Sequence, residues 1–428
     1  MRDAPELVLD AEEREMLAGA AGGAAHLAME LIVEMAKVAR ATRLVPVRSA
    51  HIDGCLYHGS VGLDFAERLA REGGRVRVPT TLNVSSLDLL HPELVRLEPT
   101  TRQYARRLMA AYEAMGCRPT WTCAPYQLPE RPAFGEHVAW AESNAIVFAN
   151  SVLGARTERY GDFIDICAAL TGRVPFAGLH RNDERGARLI VRLMGVAPEA
   201  WVHDEAYALL GHALGRLAGD RVPAVVGLPT STTEDQLKAL GAAAASSGSV
   251  ALCHVVGVTP EAPTLEACLA ADGSQAELEI GPGLLRAAWQ ELSNAVDGQP
   301  LAAVSLGTPH LSLAEWQRLQ PLLEATDIAP GLTLYVSTAR HVAADIEARG
   351  QAATLHRPGV QLVVDTCTYI TPIITAPPGA TVMTNSAKWA WYTPANLGLR
   401  VAFGTLEDCL RSAAHGRVLR RPPAWLDG

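Results

Sequence analysis

The sequence predicts an α/β fold of layered sheets and helices, on three observations. Short apolar runs of strand character recur along the chain, segments of helical periodicity lie between them, and several strand runs pass straight into polar turns rich in Gly or Pro. At 428 residues the chain exceeds one simple core, and ordinary domain sizes imply about two to three domains or subdomains.

The first element is the run "DAEEREMLAGAAGGAAHLAMELIVEMAKVAR", whose apolar residues recur at helical spacing. His26, Glu30, Glu34 and Lys37 interrupt it before it could span a bilayer, so it reads as an amphipathic helix and no membrane contact is expected. "PELVRLEPTTRQYARRLMAAYEAMG" carries the same period. "RVRVPTTLNV", "AVVGLP", "VALCHVVGV", "LAAVSLG", "LTLYVST" and "VQLVVDT" read as short buried strands. Their exits, "PTTLN", "LPTSTTEDQL", "VTPEAPT", "LGTPHLSLAEW" and "STAR", lie where open α/β sheets place sites, because strand ends expose backbone amides at a crevice. Within them Thr-Pro-Glu and Thr-Pro-His are helix-start signals. The biased segment "GAAAASSGS", Gly241 to Ser249, reads as a helix end or loop, and subdomains of about 1–215 and 250–428 would divide near it.

Hydrophobic residues at 49% and charged residues at 19% describe a globular chain. A net charge of -9 argues against a broad nucleic-acid surface, which draws its affinity from clustered Lys and Arg. The acidic start "MRDAPELVLDAEEREML" lacks the basic flank and apolar run of a secretion signal. The eight cysteines are scattered with no CxxC pair, which suits reduced thiols in the cytoplasm.

Four stretches hold more polar and thiol residues than a scaffold requires. "SAHIDGCLYHG" places His51, Asp53, Cys55, Tyr57 and His58 together, which fits either a site or a capped turn. "TCAPYQLPERPAFGEHVAWAESNAIVFANSVLGARTERYGD" runs from Cys123 through Ser143, Asn150, Ser151 and Arg156, able to aim a thiolate and grip a carboxylate. Read blandly, Cys123 is a buried small residue and Glu136 with His137 a charge pair at a helix start. The third group is the two Thr-Pro turns, with Cys253 in an apolar strand before one of them. The fourth, "VDTCTYITPIITAPPGATVMTNSAKWAWYTPANLG", holds Cys367 after a strand and Lys388 among polar and aromatic residues.

In this order, "HIDGCLYHG", "VPTTLNV", "TCAPY", "GEHVAWAESNAIVFANSVLGARTER", "ALTGRVPFAGLH", "HVVGVTPEAPT", "LGTPHLSLAEW", "DTC" and "TNSAKWAWYTPANLG" cover about residues 45 to 410. The set resembles the aconitase X family, the large catalytic unit of a divergent branch of the aconitase superfamily. The resemblance implies aconitase-like stacked α/β/α domains around a central cleft, lacking the small swivelling domain. It also implies an iron-sulfur hydro-lyase that dehydrates a hydroxy acid. The expected reaction converts cis-3-hydroxy-L-proline to Δ1-pyrroline-2-carboxylate. The alternatives are a mevalonate 5-phosphate dehydratase and a noncatalytic iron or redox sensor on the same scaffold.

Carried over by position, Cys123 in "TCAPY" and Cys367 in "DTC" match cluster ligands. Thr308 departs from the cysteine that archaeal-type relatives carry in the "LGxPH" slot, so Cys55 is the expected third ligand, ahead of Cys253. A 2Fe-2S cluster is then favoured over 3Fe-4S or 4Fe-4S. Lys388, Ser151 and His51 are the expected catalytic residues, and Thr80, Thr81, Asn83, Ser143, Asn150 and Arg156, with Lys388, the substrate-binding ones. The family's complete enzyme includes the swivelling domain, whose serine serves as base in the wider superfamily. A separate small subunit is therefore the expected partner.

Overall fold

The apolar run at the start folds as two helices where one was expected. Ala11–Leu17 is closed by a capping box between Asp10 and Glu13, and Gly23–Val38 follows after a break. Gly19 and Gly22 sit at φ of +84° and +96°, a region that admits glycine readily and ends the helical period there. The computed structural model describes residues 6–426; the first five residues of the acidic start and the last two of the tail lie outside it.

Among the described residues the chain builds three parallel sheets and one antiparallel pair. In the first sheet β2 (Ala50–Ile52) lies between β3 (Thr80–Leu82) and β4 (Ala139–Trp140), while β1 (Leu44–Pro46) pairs antiparallel with β5 (Arg173–Pro175). The second runs in the order β8 (His254–Val255), β7 (Pro223–Val226), β6 (Leu189–Leu193), β9 (Ala276–Ile280). The third runs β12 (Val360–Val363), β11 (Thr333–Thr338), β10 (Leu301–Leu311), β13 (Thr381–Thr384), β14 (Arg400–Phe403). Parallel neighbours need crossover connections, and the helices that supply them cover the sheets, so the central strands β10, β11 and β13 are buried on both faces. All six strand runs read from the sequence are present, and the expected α/β layering is observed.

The third sheet holds the feature on which the site depends. The pairing of β10 with β11 slips between Leu306 and Leu311. Gly307 stands there at φ +89°, and a Cβ on it would lie 2.1 Å from the Ser337 carbonyl oxygen. This bulge re-aims Thr308, Pro309 and His310 away from regular pairing. The Thr-Pro-His segment is thus strand end, not the helix start expected of it; the helix Leu313–Glu324 begins later, with Ser312 as its cap and Glu315 closing the box. Thr259-Pro260 likewise forms a turn, Thr259 bonding back to Val255, and the next short helix is capped by Thr264. The two cases differ in cause: the His310 amide, which a helix start would leave free, is taken by Cys123 Sγ, whereas the Thr259 turn closes locally on Val255.

The helix Glu234–Ser247 packs against both Ser143–Ser151 and Ala387–Leu397. Its Lys238, 3% exposed, is held by Asp235 at 3.1 Å and by Glu315 of the helix Leu313–Glu324. Burial lowers the proton affinity of this lysine, but the two carboxylates outweigh burial and keep it charged. Replacing Lys238 with Met leaves two carboxylates facing each other in a largely buried seam. We expect a loss of about 3–5 kcal/mol, read as a lower denaturant midpoint.

Candidate active site

Three strand ends deliver the central donors. Cys123 follows Thr122, whose amide bonds to the Leu82 carbonyl at the end of β3. Cys367 lies in the turn after β12, and His310 on the re-aimed end of β10. Their ligand atoms all lie within 4.8 Å of one another, and all three residues are buried. The His310 amide donates to Cys123 Sγ at 3.3 Å. His310 Nε2 meets the Thr366 carbonyl at 3.2 Å, and Nδ1 meets Thr122 Oγ1 at 3.1 Å. A carbonyl can only accept, so Nε2 carries the proton and Nδ1 keeps its lone pair toward the threonine hydroxyl. That tautomer is the metal-binding form of a histidine, with its second nitrogen anchored to backbone.

The two thiols share a proton unequally. Burial pushes Cys123 up, but a hydrogen bond from Cys367, then His310 and Lys388, outweigh it and draw it below an ordinary thiol. Cys367 goes up, because its S–H is the donor to Cys123 and burial adds to that. The geometry therefore holds a thiolate at Cys123.

Lys388 stands in the first turn of the helix Ala387–Leu397, where the helix dipole disfavours a cation. Its ammonium is ion-paired to Glu142 and lies 3.4 Å from Ser143 Oγ, with the two charged side chains 2% and 5% exposed. Glu142 also caps the helix Ser143–Ser151 through the Ala145 amide at 2.8 Å and accepts from Asn144. Asn144 in turn donates to the Cys123 carbonyl at 3.0 Å. Lysine and thiolate are thus joined through one short polar chain. Burial works against the charged lysine, but Glu142 more than restores it.

A third side comes from the ends of β2 and β3. His51 Nδ1 bonds Thr81 Oγ1 at 2.8 Å, while its Nε2 has no hydrogen-bond partner among the described residues. Burial pulls this imidazole down to about 3, so it is neutral near pH 7. Asn83 donates to Asp53, whose carboxyl is pushed up to about 8 by burial and by Glu142, Asp162 and Asp165. A cavity of about 290 Å³ is lined in part by Thr308, Ser386 and Lys388.

Not every expected residue reaches this place. Cys55 does not join Cys123: its amide turns back to the Asp53 carbonyl at 2.7 Å and its thiol donates to Ile52 at 3.3 Å, beside Cys117 and Asp165. Asn150 and Ser151 lie at the far end of the helix Ser143–Ser151, about 12 Å from its start at helical rise, and Arg156 lies beyond the helix in a bridge with His137. Asn150 bonds Thr157 and Ala251, Ser151 accepts from the Cys253 amide, and Arg156 faces Glu261 at 3.9 Å. Thr80 turns to the Val78 carbonyl. Glu136 and His137 lie in a bridged loop, not at a helix start. Two members of the site, Glu142 and His310, went unselected from sequence. The histidine was masked by the Thr-Pro signal and the glutamate by its many polar neighbours.

Comparison with known proteins bears on this arrangement. Residues 6–183 match the aconitase X first domain, 187–290 the second and 301–415 the third. The chain belongs to the aconitase X family. It is similar to a cis-3-hydroxy-L-proline dehydratase of Pseudomonas aeruginosa, 44% identical over 98% of this chain and 72% of that protein. One from Hypocrea jecorina is 42% identical over 98% and 70%. A phosphomevalonate dehydratase large subunit of Methanosarcina mazei is 33% identical over 96% and 98%. The crystal structure of Thermococcus kodakaraensis aconitase X, in its holo-form, superimposes with a TM-score of 0.84 at 31% identity, covering 95% of this chain and all of that one. This aconitase X chain is accordingly a hydro-lyase. Among the described residues no helix is long and apolar enough to cross a membrane.

Two outcomes follow from the site's electrostatics. Glu142→Gln strands the Lys388 charge and is expected to cost about 3–5 kcal/mol in denaturant unfolding, a loss that adding Lys388→Met partly recovers in a double-mutant cycle. From about pH 4 to about pH 8 the native Asp53 holds a proton that the unfolded chain has released, so its contribution to stability falls as pH rises. Asp53→Asn should flatten that fall, measured as unfolding midpoints across the window.

Proposed function

We propose that this chain is the large catalytic subunit of an iron-sulfur hydro-lyase that removes water from cis-3-hydroxy-L-proline to give Δ1-pyrroline-2-carboxylate. The observation that carries the reading is the buried group of two thiols and an imidazole set beside a buried lysine. Relatives named for that substrate are 44% and 42% identical, whereas those named for phosphomevalonate are between 32% and 35%.

The donor set fits a metal group. Cys123 already favours thiolate, His310 presents the metal-binding tautomer, and Cys123, His310 and Cys367 would together hold the group. Only two thiols meet here and Thr308 brings a hydroxyl, which supports a 2Fe-2S cluster over larger ones held by three cysteines. Bound there, the cluster supplies a Lewis acid for the departing hydroxyl.

The chain's own residues do the rest. The Lys388 ammonium with Ser143 Oγ binds the substrate carboxylate, in competition with Glu142. Asp53, neutral near pH 7, offers a proton by hydrogen bond, and Asn83 fixes its direction. His51, neutral and held by Thr81, has Nε2 available to accept one. In this reading the base that removes the proton from carbon belongs to a separate small subunit, and the pair works in the cytoplasm, where eight buried unpaired cysteines persist. A phosphorylated acid is served less well, because the pairing of Lys388 with Glu142 suits a singly charged carboxylate better than a doubly charged phosphoryl group.

The test is an anaerobic assay of the iron-reconstituted chain, with and without its small subunit, on cis-3-hydroxy-L-proline and mevalonate 5-phosphate. We expect product from the proline substrate only, dependent on the small subunit. Cys123→Ser should lose iron together with turnover, and Lys388→Ala should lower kcat/KM at least about 100-fold. Turnover of the phosphate alone would overturn the substrate.

A further inference from the structure

The thiols of this site are roofed by hydrocarbon. Leu56, Tyr369 and Ile370 pack against the buried group of Val84, Cys123 and Cys367, and each is only half-buried. They flank the thiols at the rim of the site and keep part of their side chains outside the core. The Tyr369 ring stacks on Tyr392, centroids 5.6 Å apart and planes 18° from parallel. Tyr392 is four residues beyond Lys388 on the helix Ala387–Leu397, a spacing that puts both on one face. Tyr369 is two residues beyond Cys367. The tyrosine stack thus bridges the loop that brings a thiol and the helix that brings the ammonium.

This wall has a chemical preference. Its side chains are aliphatic or aromatic, and the buried cation beside them, Lys388, is balanced by Glu142. A phosphoryl group set against it would lose its hydration for little return, since phosphate recognition draws on several cationic donors. A saturated ring with a secondary ammonium matches both parts of the surface. Methylenes gain contact on leucine and isoleucine, and an ammonium is attracted to the face of a tyrosine ring.

We propose that Tyr369 and Tyr392, backed by Leu56 and Ile370, are specificity-determining residues that select a cyclic secondary amine. The ring methylenes lie on the aliphatic side chains and the ammonium on the tyrosine faces, while the carboxylate turns to Lys388. The proposal rests on the hydroxyproline reading and adds which residues impose it.

The experiment uses the complex of the full chain with its small subunit and two dead ligands, titrated by calorimetry. L-Proline has the ring and the ammonium but no hydroxyl to lose; cyclopentanecarboxylate has the ring without the ammonium. Tyr369→Leu and Tyr392→Leu should each weaken L-proline binding about tenfold and raise KM for cis-3-hydroxy-L-proline similarly, the size of one good cation–π contact. kcat should change less than about threefold, because binding before the chemical step is what is lost. Tyr369→Phe and Tyr392→Phe keep the ring faces and should restore most of the L-proline affinity lost in the leucine variants, which separates loss of the ring face from a folding defect. Cyclopentanecarboxylate should be affected less than L-proline. Leucine variants that bind L-proline as the wild type does, in an enzyme that dehydrates cis-3-hydroxy-L-proline, would overturn this proposal and leave the substrate standing. A wild-type complex that turns over only mevalonate 5-phosphate would overturn both.

Discussion

The buried ion pair between Lys388 and Glu142 is the constraint around which the rest of the site is arranged. Each partner stands where it would be costly alone: a lysine at a helix N-terminus, where the dipole opposes it, and a glutamate 5% exposed. Together they satisfy one another and hold the start of the helix Ser143–Ser151 against the start of Ala387–Leu397. Through Asn144 the same glutamate fixes the backbone of Cys123. A charge that must be neutralised thereby sets the position of a thiolate.

The second constraint is the interruption of β10. A regular strand would have kept Thr308 and His310 in the pairing with β11. Gly307 permits a conformation closed to a side chain at that distance from Ser337, and the strand end swings so that His310 meets Cys123 and Thr366. Its carbonyl is held in turn by Gln127 and Lys238. The imidazole is therefore braced on its backbone and on both ring nitrogens before any ligand arrives, which is the preorganisation that a catalytic centre requires.

Two carboxyl-bearing residues at the crevice stand in different surroundings. Glu142 faces a lysine, whereas Asp53 faces Glu142, Asp162 and Asp165 and so retains its proton to high pH. One crevice therefore holds an acid paired with a lysine beside an acid that keeps its proton near pH 7, and the latter can donate. Pairs of acids pushed apart by their environments are how a single fold supplies both kinds of group near pH 7.

Local pattern carried the α/β class, the strand runs and their polar exits, because apolar periodicity and turn chemistry are written residue by residue. The ordered motifs carried the family, with Cys123, Cys367 and Lys388. What sequence did not reveal were the partners: Glu142 for Lys388, His310 as third donor, and the distance that separates Asn150, Ser151 and Arg156 from them. Cys55 is close to Cys123 in motif logic, yet its own turn aims it at Ile52. The tertiary structure decided these points because ligation and ion pairing depend on through-space distances of a few ångströms between residues up to 246 positions apart, which no local spacing encodes.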